Sequence, residues 1–261
     1  MECVLTQELF KRRRIRRFFQ IASPEELDDD IVCEHRLSIW LDGEEFIKTV
    51  ISPSLVEEFL LGFLLSRRII DGLQDVLSME VSGDAAYITR IESKRRSLPH
   101  LELLESTGTP DIPPAHVVGP AESLFQAPLR VSVSVIFEGV RMLSEMPLYR
   151  KTGGTHCAIL FSPEGAPLIS AEDVGRHNSV DKVIGGGLMK DVDFANCWLA
   201  VSGRLPADMV VKPIVAGIPL VASVSAATSA GIQMGEKAGL TIVGFARKER
   251  FNCYCHPQRI L

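Results

Sequence analysis

Cys197 to Ala246 read CWLAV SGRL PADMVVKPIVAG IPLVASV SAATSAGIQMGEKAG LTIVGFA, an alternation of apolar runs with helical patterns that decides the fold of this chain. Residues 197–201, 218–224 and 240–246 are apolar and of strand length. Between them, 206–216 has Pro206 at a first helical position and Gly217 as its stop, while 227–238 is amphipathic and ends at Gly239. Pro213 lies inside the first helix, where its missing backbone donor predicts a break or bend near Lys212. The succession is βαβαβ. Right-handed crossovers make such strands parallel, so the turns that follow them collect at the carboxyl edge of one sheet, where open α/β sheets bind ligands. Ser202, Gly203 and Arg204 occupy the first turn and Ser225 and Thr228 the second, while Arg247 and Arg250 follow the third strand. These residues are expected to face one cleft.

Upstream, 155–161 and 166–171 read as strands joined by the turn Ser162-Pro-Glu-Gly165, and 132–145 carries Val133, Ile136, Val140 and Leu143 at helical spacing. Next comes Ser170-Ala-Glu-Asp-Val-Gly-Arg-His-Asn-Ser-Val-Asp-Lys182, in which Gly175, Arg176, His177 and Asn178 open directly into a helical pattern. A helix N-terminus beside an arginine and a histidine is a seat for an anion, most often a phosphate. The alternative is that Glu172, Asp173 and Asn178 only cap the helix. Because that end of a helix disfavours added positive charge, His177 is expected to be neutral.

The N-terminal part has a different pattern. Residues 37–41 and 45–51 flank Asp42-Gly43, the dipeptide preferred by type I′ hairpins, and a second hairpin is expected at Gly83-Asp84 between 76–82 and 85–91. Ser54 and Glu57 have capping-box spacing ahead of the apolar stripe Val56, Phe59, Leu60, Phe63 and Leu64. With 261 residues, 46% of them apolar, the chain has material for two cores. The expected organisation is an N-terminal α+β domain at 1–105, a proline-rich linker at 106–130, and an α/β domain at 131–261.

A net charge of −5 argues against a general nucleic-acid surface, and the run Lys11-Arg-Arg-Arg-Ile-Arg-Arg17 is expected to be a solvated, poorly ordered arm. The apolar stretch at 59–65 is too short to span a membrane, no secretory leader is apparent, and six scattered cysteines make no disulfide framework. A cytoplasmic location is the expectation. Cys253-Tyr-Cys-His256 suggests a metal site, but on a strand Cys253 and Cys255 would face one way and Tyr254 and His256 the other, so no metal is expected. Cys157 follows His156, on the opposite face by the same alternation, and Cys197 reads as core.

Several motifs now combine: Thr-Gly-Gly-Thr-His at 152–156, Glu-Asp-Val-Gly-Arg-His-Asn-Ser-Val-Asp-Lys at 172–182, Ser-Gly-Arg at 202–204, and Gly-Phe-Ala-Arg-Lys-Glu-Arg-Phe-Asn-Cys-Tyr-Cys-His-Pro-Gln-Arg-Ile at 244–260. Together with Glu34–Gly43 and Ser52–Ser66, they closely resemble the FdhD/NarQ family of formate dehydrogenase accessory proteins. Arg67-Arg68 stands where that family usually has Glu-Gly. The resemblance implies a cytidine-deaminase-like three-layer α/β/α domain behind a smaller α+β domain, and a homodimer. It also implies a sulfurtransferase role: sulfur taken from a cysteine desulfurase is delivered to the bis-guanine-dinucleotide molybdenum cofactor before that cofactor enters the catalytic subunit of formate dehydrogenase. The family's cofactor-binding segment corresponds here to Phe245, Ala246, Arg247, Lys248, Glu249 and Arg250. Arginines suit the phosphates and stack on guanine, and Phe245 and Phe251 are the nearest aromatics.

One departure is plain. The family's sulfur-handling Cys-x-x-Cys has no counterpart in Leu103–Ile112, which contains no cysteine. A persulfide relay needs a thiolate, leaving Cys157 and Cys255 as candidates for a displaced carrier. The alternative is a non-catalytic chaperone that binds the molybdenum cofactor or a guanine nucleotide. A zinc nucleoside deaminase, suggested by fold analogy, is disfavoured, since no Pro-Cys-x-x-Cys follows His100-Leu-Glu102.

Overall fold

A computed structural model of the chain describes residues 8–94, 124 and 126–261. Most of the expected linker, the segment 103–112 and Cys3 lie outside the described residues.

The chain opens on a hairpin in which β1 (Phe10–Arg17) pairs antiparallel with β2 (Glu25–Val32). Arg12 stands opposite Asp30, Arg14 opposite Asp28 and Arg16 opposite Glu26. The basic run expected to be a poorly ordered arm is therefore a strand, because the acidic run that follows supplies cross-strand partners of opposite charge. Next come β3 (His35–Leu41) and β4 (Glu44–Ile51), whose turn residues Asp42 and Gly43 both have positive φ, as a type I′ hairpin requires. The second hairpin, β5 (Val76–Ser82) with β6 (Ala85–Arg90), joins them through a parallel β3–β6 pairing, giving the order β4-β3-β6-β5.

Helix α1 (Val56–Ser66) buries Phe59, Leu60, Phe63 and Leu64. The expected capping box does not form. Leu55, at φ 52°, is the residue that enters the helix, and no side chain caps it. This places Ser54 one position too early, and its N–H bonds Ser52 O instead.

The C-terminal part comprises α2 (Val133–Met142), α3 (Pro147–Thr152), β7 (His156–Phe161), β8 (Pro167–Asp173), α4 (Arg176–Met189), β9 (Trp198–Val201), α5 (Ala207–Ala216), β10 (Leu220–Ser223), α6 (Ser229–Ala238), β11 (Thr241–Arg247) and β12 (Arg250–Cys255). Strands β9, β10 and β11 are parallel, β7 runs antiparallel to β9, and the sheet order is β12-β11-β10-β9-β7-β8. Helix α5 runs unbroken through Pro213, correcting the expected break; Met209, Val210 and Pro213 are buried, and tertiary packing outweighs one lost amide bond.

Sheet residues alternate between two cores. Ala158, Leu160, Leu199 and Val221 meet α1, α4, α5 and α6, whereas Ile159, Phe161, Trp198 and Ala222 meet Ile136 and Val140 of α2. The fold class is α/β, with helices on both faces of the larger sheet. Its first core also includes Leu37, Ile39 and Ile88 of the smaller sheet. Helices α1 and α4 touch through backbone: a Cβ added to Gly62 would lie 1.8 Å from Asp181 O, and one added to Gly185 would lie 1.8 Å from Glu58 O. Beside this crossing, buried Lys182 pairs with Asp173 at 2.6 Å and donates to Ser52 O, while buried Lys212 donates to both Asp181 oxygens at 2.6 Å. Removing one partner of such a pair leaves an uncompensated buried charge, at a cost of about 3–5 kcal/mol. No helix among the described residues is long and apolar enough to cross a membrane.

Candidate functional site

The parallel strands β9, β10 and β11 end at one edge of the sheet. Antiparallel β7 begins there with His156, which stands opposite Asp173, the last residue of β8. Between this edge and helices α2 and α3 lies a cleft of about 1140 Å³. Its walls are Phe137, Glu138 and Arg141 of α2, Tyr149 of α3, the Gly153–Cys157 run, Ser202, and Ala246 to Glu249.

The structure thus brings Ser202, Ala246, Arg247, Lys248 and Glu249 to one cleft. Phe245 has φ 51° at a bulge in β11, donates its N–H to Ser225 O, and sets its ring 5.7 Å from the Arg247 guanidinium carbon. Arg250 joins 247–249 around a second hollow of about 970 Å³. The other expected residues do not line the main cleft. Arg204 is exposed, Thr228 accepts from Gly231 N–H to cap α6, and Ser225 N–H donates to Ser223 Oγ. Gly203 lies against the Arg176 side chain so closely that a Cβ there would be 3.0 Å from Arg176 Cβ.

At the start of α4, Gly175 occupies the cap position without a side-chain bond. Asn178 Nδ2 donates to Val50 O and to Asp173 Oδ1, which also accepts from Gly175 N–H. Glu172 turns away to accept from Leu148 and Tyr149 N–H, capping α3. His177 Nε2 lies 2.9 Å from Asp208 Oδ2. The bond to His177 holds the Asp208 carboxyl below its usual range, so this oxygen accepts and Nε2 donates, leaving buried Nδ1 without a partner. Burial is the main cause lowering the pKa of His177, which is neutral at pH 7.

Sequence reasoning missed His156. Its Nδ1 lies 3.1 Å from Ser202 Oγ, and that oxygen accepts from Cys157 N–H at 2.9 Å. Burial first, then the charge of Arg176, lowers its pKa, so a neutral imidazole stands at the floor of the cleft. The signal was topological: an antiparallel β7 delivers its first residue to the edge where its parallel neighbours end. Phe137 and Arg141 lacked any local signal, since nothing in a helical pattern says which exposed positions overhang a sheet edge.

Residues 32–261 match the family model described as the FdhD/NarQ family. The chain belongs to the FdhD/NarQ family. It is similar to "Sulfur carrier protein FdhD" of Methanothermobacter thermautotrophicus, 38% identical over 242 residues and covering 91% of this chain and 92% of that protein. The protein of the same description from Wolinella succinogenes is 33% identical over 240 residues, covering 90% and 84%. A crystal structure from Desulfotalea psychrophila, described as a formate dehydrogenase accessory protein, superposes with a TM-score of 0.77 at 25% identity, covering 97% of this chain and all of that one.

The chain holds no Cys-x-x-Cys, so its single thiols decide what sulfur chemistry it can do. Cys157 lines the cleft yet is buried, and burial, followed by the Glu172 charge, pushes its thiol up to about 12. The thiol of Cys255, pushed up by burial to about 11, donates to Leu240 O. A correction concerns its neighbour. Ile242 pairs with Cys255 but Val243 pairs with Cys253, so a bulge at Tyr254 turns the two cysteines to opposite faces of the sheet. Among the described residues no three His, Cys, Asp or Glu side chains are grouped to hold a metal, and His100 and Glu102 lie outside those residues.

Proposed function

We propose that this chain is a formate dehydrogenase accessory protein that binds the bis-guanine-dinucleotide molybdenum cofactor in the carboxyl-edge cleft and holds it for the catalytic subunit. It does so without carrying sulfur on Cys157 or Cys255. The observation that carries this reading is the composition of one cleft: exposed Arg247 and Lys248 at its lip, neutral His156 and Ser202 at its floor, and Phe137, Tyr149 and Arg141 along its wall. Cationic donors match phosphate oxygens, and aromatic faces match a guanine. The bound cofactor is cargo, and these residues bind and orient it. Association with a formate dehydrogenase, receipt of sulfur from a cysteine desulfurase bound at the same cleft, and assembly as a homodimer belong to the same proposal.

With its thiol pushed up to about 12 by burial, Cys157 is protonated at pH 7 and is a poor persulfide acceptor. A second reading keeps the sulfur-carrier role on Cys157, because that thiol does border the cleft. Its thiolate would attack the terminal sulfur of a desulfurase persulfide and release the desulfurase thiolate.

Calorimetric titration with GDP tests the site. Arg247→Ala is expected to weaken binding by about 1.5–3 kcal/mol, the scale of a charged hydrogen bond. Equal affinity in the variant and the parent would remove Arg247 from the site. Complementation of a strain lacking the accessory factor, scored by formate dehydrogenase activity, tests the role; failure by the intact chain would refute it.

A further inference from the structure

The hairpin β1–β2 precedes nearly all of the family region, which begins at residue 32, and it is a two-stranded sheet on its own. Isolated two-stranded ribbons are marginal in water. Cys33 N–H donates to Leu9 O at the open end of the ladder. Alternation along an antiparallel pair then directs the backbone groups of Lys11, Arg13, Ile15 and Arg17 toward β2, and those of Phe10, Arg12, Arg14 and Arg16 outward. Among the described residues, β1 therefore has a second edge with unused amides and carbonyls.

The side chains along that edge are cationic and exposed. Arg12, Arg14 and Arg17 reach carboxylates of β2. Lys11, Arg13 and Arg16 have no ion-pair partner among the described residues. A hollow of about 810 Å³ beside the first half of β1 is lined by Lys11, Arg12, Arg13 and Lys151 against a single carboxylate, Glu8.

We propose that the outer edge of β1 docks an extended acidic segment of a partner protein, which adds to the hairpin as a third strand. The chain itself shows the chemistry that β1 accepts: its inner edge holds Glu-Glu-Leu-Asp-Asp-Asp-Ile-Val. A second copy paired through the same edge would set arginines opposite arginines, which destabilises a strand pair. Main-chain bonds supply affinity in such strand addition, and the alternating side chains supply selection.

The probe is a labelled peptide of residues 25–32, Glu-Glu-Leu-Asp-Asp-Asp-Ile-Val, titrated with the full chain and followed by fluorescence anisotropy at low ionic strength. Saturable binding is expected, weakened by salt at about 0.5 M and absent for a peptide with Gln and Asn in place of the acids. Arg16→Pro removes an outward amide, no ladder bond and no ion pair, so binding should fall roughly tenfold while circular dichroism and Tm hold. Should proline disturb the hairpin, Arg13→Glu removes a cation that has no internal partner, and a similar fall is expected. Undiminished binding to both variants would mean that the peptide displaces β2 or sits elsewhere, and would overturn the proposal. So would absence of saturable binding, or tighter binding of a single-stranded oligonucleotide of equal charge.

Discussion

Arg247 and Lys248 are exposed, so their removal perturbs the cleft without opening a core. By contrast with Arg247→Ala, Arg204→Ala is expected to change GDP affinity by less than about 0.5 kcal/mol, since Arg204 is absent from the cleft wall. Parallel titrations of the two variants separate a local site from a general cationic surface. Cys157→Ser should keep complementing activity, because serine holds the small buried volume and the thiol is un-ionised; loss of complementation with an unchanged Tm would favour the sulfur-carrier reading. At this scale the shared edge of Ser202 and 246–249 was legible in the sequence, because turns after parallel strands share an edge. Asn178 and Thr228 carried the same signal and make internal bonds outside the cleft wall: polar residues at loop ends cap helices and bridge segments as readily as they meet ligands.

The hairpin of β11 and β12 places a lysine, Lys248, at φ 58° in its turn. A side chain in that conformation costs about 1 kcal/mol relative to glycine, so Lys248→Gly should raise stability by roughly that amount while weakening GDP binding. Denaturant midpoints and calorimetry moving in the same direction would contradict a binding role for Lys248. The crossing of α1 and α4 gives the opposite case. Gly62→Ala would drive a methyl into the Asp181 carbonyl and is expected to cost about 3 kcal/mol or more, read as a lower urea midpoint at constant slope. The βαβαβ unit and both inner hairpins were legible because period and turn residues agree there. Strand β1 was not, since its basic run makes sense only beside an acidic run that is distant in period and joined by a loop without a tight-turn signature. The bulge at Tyr254 likewise depends on register against β11, which no window of the β12 sequence contains.

Across the whole molecule, burial lowers the pKa of both His156 and His177 in the fold, while the unfolded chain protonates its histidines near the ordinary value of about 6.5. The unfolded state therefore binds more protons below that pH. This contribution to stability is complete above about 6.5 and is lost as pH falls toward the folded pKa values. Buried Lys212, lowered to about 8 mainly by desolvation, acts in a higher window: the cost of its buried ammonium is relieved as pH rises from about 8 toward 10.5. Tm should accordingly fall from pH 7 to pH 5, with a shallower slope in His177→Asn, and an identical slope would show that His177 does not titrate between the two states. The strands of the larger and the smaller sheet were legible, but the core the two sheets share was not, because Gly62 and Gly185 show their purpose only when two helices meet. The central claim is that one cleft holds the guanine-bearing cofactor. Chain isolated anaerobically from molybdate-fed cells, assayed for bound molybdenum and guanine nucleotide, tests it most directly. The account predicts both together in the parent and neither in Arg247→Ala; a parent devoid of both, or a variant that retains both, would contradict it.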